Sequence, residues 1–342
     1  MAYGPDGEFN LTGRERVLLT LNHKEADRVP RTIWVDGGEI MTRVVARFGS
    51  YEAFLDELDT DMFQAFPGGP GMVDWEAAGA DRASARGRGL SQGALTIDEA
   101  LEAPFTDPST PSIYEPITAA IDFHRKRKGR AIWAQTPGCF ETANGIIGME
   151  QQLMELALAP DKMVALYHRQ LEWTKVYIDG CLALGVDVIH VSDDLGENGR
   201  MLFSPATFRD VVKPVLALQA AYVRARSPHL SMHSCGYFDD VVADLVEMGF
   251  DCLHPIQESA GMDIPSVKRR YGDHITIYGG LDVRTTLPSG DRDRIRADLD
   301  RIVPACRQGG GLLFCSSHTV HSDCSIDDVL YAYDLLDRLG RY

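Results

Sequence analysis

A closed barrel of eight parallel strands, each followed by a helix, is the fold that this 342-residue chain predicts. Three observations predict it. Short β-type runs alternate with long amphipathic stretches about eight times. The second half keeps that beat with no break that would mark another domain. No G-x-G-x-x-G turn follows the first strand, as a dinucleotide-binding sheet would show. The expected architecture is therefore α/β: a single-domain (β/α)8 barrel with an N-terminal helix and an insertion over the barrel mouth.

The elements follow in order. Residues 1–10, with Gly4, Pro5 and Gly7, read as a loose tail, which leaves 11–342 for the barrel. Thr12 with Glu15 three residues later forms a capping box ahead of Val17, Leu18 and Leu21, so the first helix starts there. Strands are expected at 31–35, 61–66, 131–135, 186–192, 229–234, 252–256, 275–278 and 312–315. Helices are expected at 160–184, 205–226, 239–248, 264–271 and 292–306, and a last one at 326–339 begins after Ser325 and ends at Gly340. The Gly- and Pro-rich stretch of about 67–111 interrupts the beat and reads as the insertion, with room for a small hairpin. The basic run 124–130 closes a helix, where cations complement the helix dipole.

Composition narrows the function. A formal net charge of −16 argues against nucleic-acid and anionic-membrane partners, which reward a basic surface. No apolar run approaches the roughly 20 residues needed to cross a bilayer. The first residues carry no secretory apolar core, so a cytoplasmic location is expected. Seven scattered cysteines in a large chain read as reduced thiols rather than a disulfide framework. Cys139, Cys181, Cys252, Cys306 and Cys324 take a packing role, as do Met62, Met72 and Met149. A homodimer is the commonest oligomer and is the expectation if the chain associates.

In a barrel, polar residues at the C-terminal strand ends converge on one mouth. Five successive predicted strands end this way: in Asp193 and Asp194; in His233, Ser234 and Cys235; in Gln257 and Glu258 after His254; in Asp282 after Gly279 and Gly280; and in Ser316, Ser317 and His318 after Cys315. His233 and Cys235, two residues apart on an extended chain, point to the same side, which suits two ligands of one metal. Imidazole with thiolate favours zinc, with Cys315 as the third ligand and a fourth position open to substrate. The bland alternative is a packed Cys235 and a merely hydrogen-bonded His233. Asp193 and Asp194 either orient substrate or a ligating histidine, or cap a helix. His254 is a substrate contact or a satisfied core histidine. Gln257 and Asp282 are candidate substrate contacts. His318 with Asp323 suits acid–base work or substrate binding, and His321 is expected at the surface.

At these residues the chain resembles the superfamily of uroporphyrinogen decarboxylases and cobalamin-linked methyltransferases, over nearly its whole length. The matching segments are RERVLLTLNHKEADRVP, DDLGENGRMLFSPATFRDVVKP, MHSCGYFDDVVADLVEMGFDCLHPIQ, YGDHITIYGGLDVRTTLP and GGGLLFCSSHTVHSD. In the decarboxylases, paired arginines and a strand-end aspartate handle the substrate's carboxylates without a cofactor. Here that region reads RTIWVDGGEIMTR, without the pair; Arg43 is nearby, and Asp61 is the closest match to the aspartate. The methyltransferase branch holds zinc through H-x-C and a distant cysteine, which His233, Cys235 and Cys315 resemble. A shift of a few residues would bring His318 to the site in place of Cys315. The resemblance thus implies a zinc-dependent methyltransferase working with a corrinoid, the cargo of a partner protein, on a small-molecule thiol or oxygen compound. The alternatives are a metal-independent decarboxylase using Asp61 and Arg43, and a tetrapyrrole- or corrinoid-binding protein without turnover.

Overall fold

A computed structural model describes residues 11–69, 71–79 and 95–342. The expected tail, 1–10, lies outside the described residues, as does part of the expected insertion. The core is one curled parallel sheet of seven strands in the order β1 (Met62–Ala65), β2 (Ala131–Pro137), β3 (Val188–Ser192), β6 (Leu230–His233), β7 (Cys252–His254), β8 (Thr276–Leu281) and β9 (Leu312–Ser316). A short antiparallel ribbon, β4 (Gly196–Glu197) with β5 (Arg200–Met201), follows β3 at the mouth.

The eighth position is taken by the extended run 29–35. Thr32 N–H donates to Phe314 O at 2.9 Å and Phe314 N–H to Pro30 O at 2.8 Å on the β9 side. On the β1 side, Asp61 N–H donates to Arg31 O at 2.8 Å, and the Thr32 hydroxyl to Met62 O at 3.2 Å. All eight expected strands thus occupy the barrel wall, and the mixed α/β fold has the barrel architecture that the alternation predicted. Pairing between 29–35 and β1 is confined to the lower half of the wall.

The first helix, Gly13–Leu21, starts on the expected box: Glu15 N–H donates to Thr12 Oγ1 at 3.2 Å, and Thr12 N–H to Glu15 Oε2 at 2.8 Å. It closes the bottom of the barrel, with Val17 and Leu21 packed among Met62, Ala131, Val188 and Leu313. Two aspartates at the N-terminal strand ends fasten it there. Arg14 pairs with Asp187 at 2.7 Å, and Arg16 with Asp61 at 3.0 Å. The helices Pro160–Leu184, Ile264–Tyr271 and Ile326–Leu339 begin and end as expected, whereas 205–226 is interrupted by a π-helical turn at Phe208–Val212.

Two helices after β2, Cys139–Ile147 and Met149–Leu158, escape the sequence reading because Gly145 and Gly148 break their apolar periodicity. In the insertion region, Val73 and Phe105 pair as an antiparallel bridge, and Ile97–Glu102 forms a short helix. The basic run is spent internally: Arg130 is buried and holds Thr60 O and Asp56, while Lys128 and Arg125 pair with Asp56 and Asp187.

Asp61 does not stand at the mouth. It lies just before β1 at the opposite end, 1% exposed. Its carboxylate accepts from Arg16, from Arg28 Nη1 at 2.6 Å and from the Arg31 backbone N–H at 2.8 Å. This corrects the expectation of a substrate contact. Removing the carboxylate leaves the buried Arg31 N–H without its acceptor, while Arg16 keeps Asp27 and Arg28 keeps Asp59, so the cost is that of a buried unpaired donor, about 1–3 kcal/mol. Asp61→Ala is expected to lose that much in denaturant unfolding, with the slope unchanged. A loss below about 1 kcal/mol would contradict the anchoring role.

Candidate metal centre

Side chains alternate in and out along a strand, so the register sets which inward residues stand side by side. Ser192 pairs with His233, and His233 with His254, placing three inward polar residues at one level on β3, β6 and β7. Trp34 on the closing segment covers them. Its indole stacks on His233 at 5.4 Å between centroids, lies 4.5 Å from His254, and donates from Nε1 to the Tyr278 hydroxyl at 3.1 Å.

These contacts assign the imidazole protons. His254 Nε2 lies 3.2 Å from Ser316 O, which only accepts, so that nitrogen carries hydrogen. Burial lowers the His254 pKa well below the ordinary value, so the ring is neutral and its Nδ1 is a lone pair. His233 Nδ1, 2.8 Å away, must then be the donor. The remaining nitrogen, His233 Nε2, faces Cys235 Sγ at 3.3 Å and Asp194 Oδ1 at 3.4 Å. Burial opposes charge on His233, but Cys235 and Asp194 raise its pKa well above the usual value. A cation at Nε2 would take the place of that proton.

His318 completes the group: one donor atom each from His233, Cys235 and His318 lie within 4.8 Å of one another. Burial, and then the charge of His233, lowers the His318 pKa and leaves its lone pair available. Cys235 is held by its backbone, whose N–H donates to Asp194 Oδ1 at 2.7 Å. The next residue is pinned as well, Gly236 N–H donating to Gln257 Oε1 at 3.0 Å. Gly236 has φ 78° and backs onto the Gly196 backbone, so no side chain fits there. A cavity of about 390 Å³ opens beside the cluster, lined by Cys235, Gln257, Val283, Arg284, His318 and Asp323 among others. His190, His233 and His254 also lie within 4.8 Å, deeper in the barrel, where the His233–His254 hydrogen bond uses both Nδ1 atoms.

Cys315 is placed elsewhere. It points into the barrel below Trp34, packed with Leu313, Cys252 and Tyr278, and burial pushes its thiol up to about 12. His318, three residues on and beyond the strand end, takes the place expected for it. Asp193 is fully buried under Gly138 and accepts from Glu141 N–H at 2.7 Å, capping the Cys139–Ile147 helix; burial pushes its pKa up to about 8. Asp282 binds its own turn, accepting from the backbone N–H groups of Arg284, Thr285 and Thr286. Arg43 reaches Ser322 O at 2.6 Å and so holds the loop after His318.

Two residues at the mouth escape the sequence reading. Trp34 sits on a strand whose inward face carried no polar signal. Glu141 lies in the first turn of a helix, where acids are common. The Ser192 hydroxyl donates to its Oε2 at 2.7 Å, and burial, then the charge of Asp194, raises its pKa.

Comparison with known proteins agrees with this architecture. A methyltransferase from Methanosarcina mazei superposes with a TM-score of 0.70 at 18% identity, covering 96% of this chain and 99% of that one. A B12-independent methionine synthase from a Shewanella species gives 0.43 at 14% identity, over 65% of this chain and 64% of that one. No curated protein matches by sequence. The profile of the uroporphyrinogen decarboxylase (URO-D) family matches residues 91–339, so the chain belongs to that family.

Proposed function

We propose that the chain is a zinc-dependent methyltransferase that moves a methyl group between a small-molecule oxygen or thiol and a corrinoid carried by a partner protein. One observation carries this reading: His233 Nε2, Cys235 and His318 converge at the barrel mouth beside an open cavity, with the His233 proton already assigned to the other nitrogen. Two imidazoles and one thiolate with a free position suit a catalytic zinc. The fold neighbour named as a methyltransferase agrees with it.

A zinc ion held there supplies Lewis-acid activation of the bound oxygen or sulfur. The chain's own residues do the rest. Asp194 holds the Cys235 backbone and faces His233. Gln257 fixes the loop behind Cys235. Trp34 shields the imidazole pair from water. Glu141, whose pKa burial raises, stands against Ser192 and is placed to exchange a proton at the mouth. The decarboxylase alternative loses its two named residues, because Asp61 lies at the far end and Arg43 is bound to loop carbonyls.

Metal analysis tests the reading. Purified protein is expected to hold about one zinc per chain, lost in Cys235→Ser and His318→Ala but retained in Cys315→Ser, with methyl transfer falling at least about 100-fold in the first two. Zinc retained without Cys235, or lost with Cys315 alone, would overturn it. His254 gives a second test. His254→Phe is expected to weaken zinc binding about 10–100-fold, the usual effect of removing a ligand's hydrogen-bond partner. His254→Gln, which can both accept from His233 and donate to Ser316 O, is expected to recover most of it. Equal affinity in both variants would contradict the proton assignment.

A further inference from the structure

Two of the proposed ligands are fixed by the barrel wall: His233 lies on β6, and the Cys235 backbone is held by Asp194. His318 has neither support. It follows β9 by two residues. Its imidazole, without a hydrogen-bond partner among the described residues, meets Trp34 at 6.1 Å and His233 at 5.9 Å between centroids. Two strands separate β6 from β9, so register does not set one imidazole against the other. The backbone around His318 pairs instead with the closing segment. Val320 N–H donates to Trp34 O at 2.9 Å, and Asp36 N–H to Val320 O at 3.0 Å. Trp34 is tied further: its own N–H donates to Ser316 Oγ at 3.2 Å, and its indole N–H to the hydroxyl of the fully buried Tyr278 at 3.1 Å. A side chain with two rotatable bonds, held at its tip, is fixed in one orientation. That one indole stacks on His233 at 28° and lies at 72° to the ring of His318.

We infer that Trp34 is a positioning residue that sets the His318 imidazole against that of His233, so that the centre has three protein ligands rather than two; this rests on the metal-centre reading above. Zinc takes its ligands along tetrahedral directions, and a loop histidine free to swing leaves them. The indole supplies no ligand atom and acts through the two rings that it touches. Its effect is therefore on ligand number and geometry, which a residue serving the fold alone would leave unchanged.

Cobalt(II) in place of zinc tests this on the full chain, because its visible absorption reports coordination geometry. Wild type is expected to bind one cobalt with the intense bands of a four-coordinate site. Trp34→Leu is expected to bind it about 100-fold more weakly, with the faint bands of higher coordination as water replaces His318. His318→Ala is expected to give that same spectrum, and the double variant to bind no more weakly than His318→Ala. Trp34→Phe, which keeps an aromatic face, is expected to retain the wild-type bands with a loss of no more than about 10-fold. Should Trp34→Leu not fold, Tyr278→Phe decides: it only unties the indole, and about 3–10-fold weaker binding is expected, equal affinity being the contrary result. Wild-type bands in Trp34→Leu, or losses that add in the double variant, overturn the inference and leave the metal centre standing. A wild-type chain that binds no cobalt overturns both.

Discussion

The arrangement at the mouth depends on one hydrogen-bond chain, Ser316 O to His254 to His233. A backbone carbonyl accepts only, and that single fact passes through the neutral His254 ring to fix a proton on His233 Nδ1, leaving Nε2 as the nitrogen a cation can take. With the opposite assignment His233 would present a proton to Cys235 and His318. The chain is buried, roofed by Trp34 and built on β6, β7 and β9, so neither ring can turn without disturbing the wall. Orientation by an outer partner is how histidine ligands are commonly fixed.

The fold delivers this chain through register. Ser192, His233 and His254 share one level because β3, β6 and β7 are parallel and in step there. Charged groups at the other end serve stability instead: Asp61 and Asp187 tie the first helix across the barrel floor. The molecule thus separates its carboxylates by end. Those below the strands are consumed by arginines, and those above face imidazoles, backbone amides and a cavity.

Much of this was legible in the sequence. Alternation located all eight wall positions, and polar residues at strand ends named the mouth, because both follow from local periodicity. His233 and Cys235 were singled out by their spacing and His318 by its place after a strand, and the structure sets one donor atom of each within 4.8 Å of the others. What failed was long-range. Cys315 looks like a ligand beside H-x-C, but inward alternation on β9 buries it beneath Trp34. Asp61 entered through the resemblance, as the closest match to a strand-end aspartate, although the expected strand already began at it; there it meets the arginines of the barrel floor. Trp34 and Glu141 carry no local signal; only the closed barrel brings them to the histidines.

The central claim is the composition of the metal centre, and zinc K-edge X-ray absorption on the purified protein measures it most directly. The account predicts one sulfur at about 2.3 Å and two imidazole nitrogens at about 2.0 Å, with the remaining position taken by a light atom. Two sulfur scatterers would return Cys315 to the site and contradict the assignment of His318.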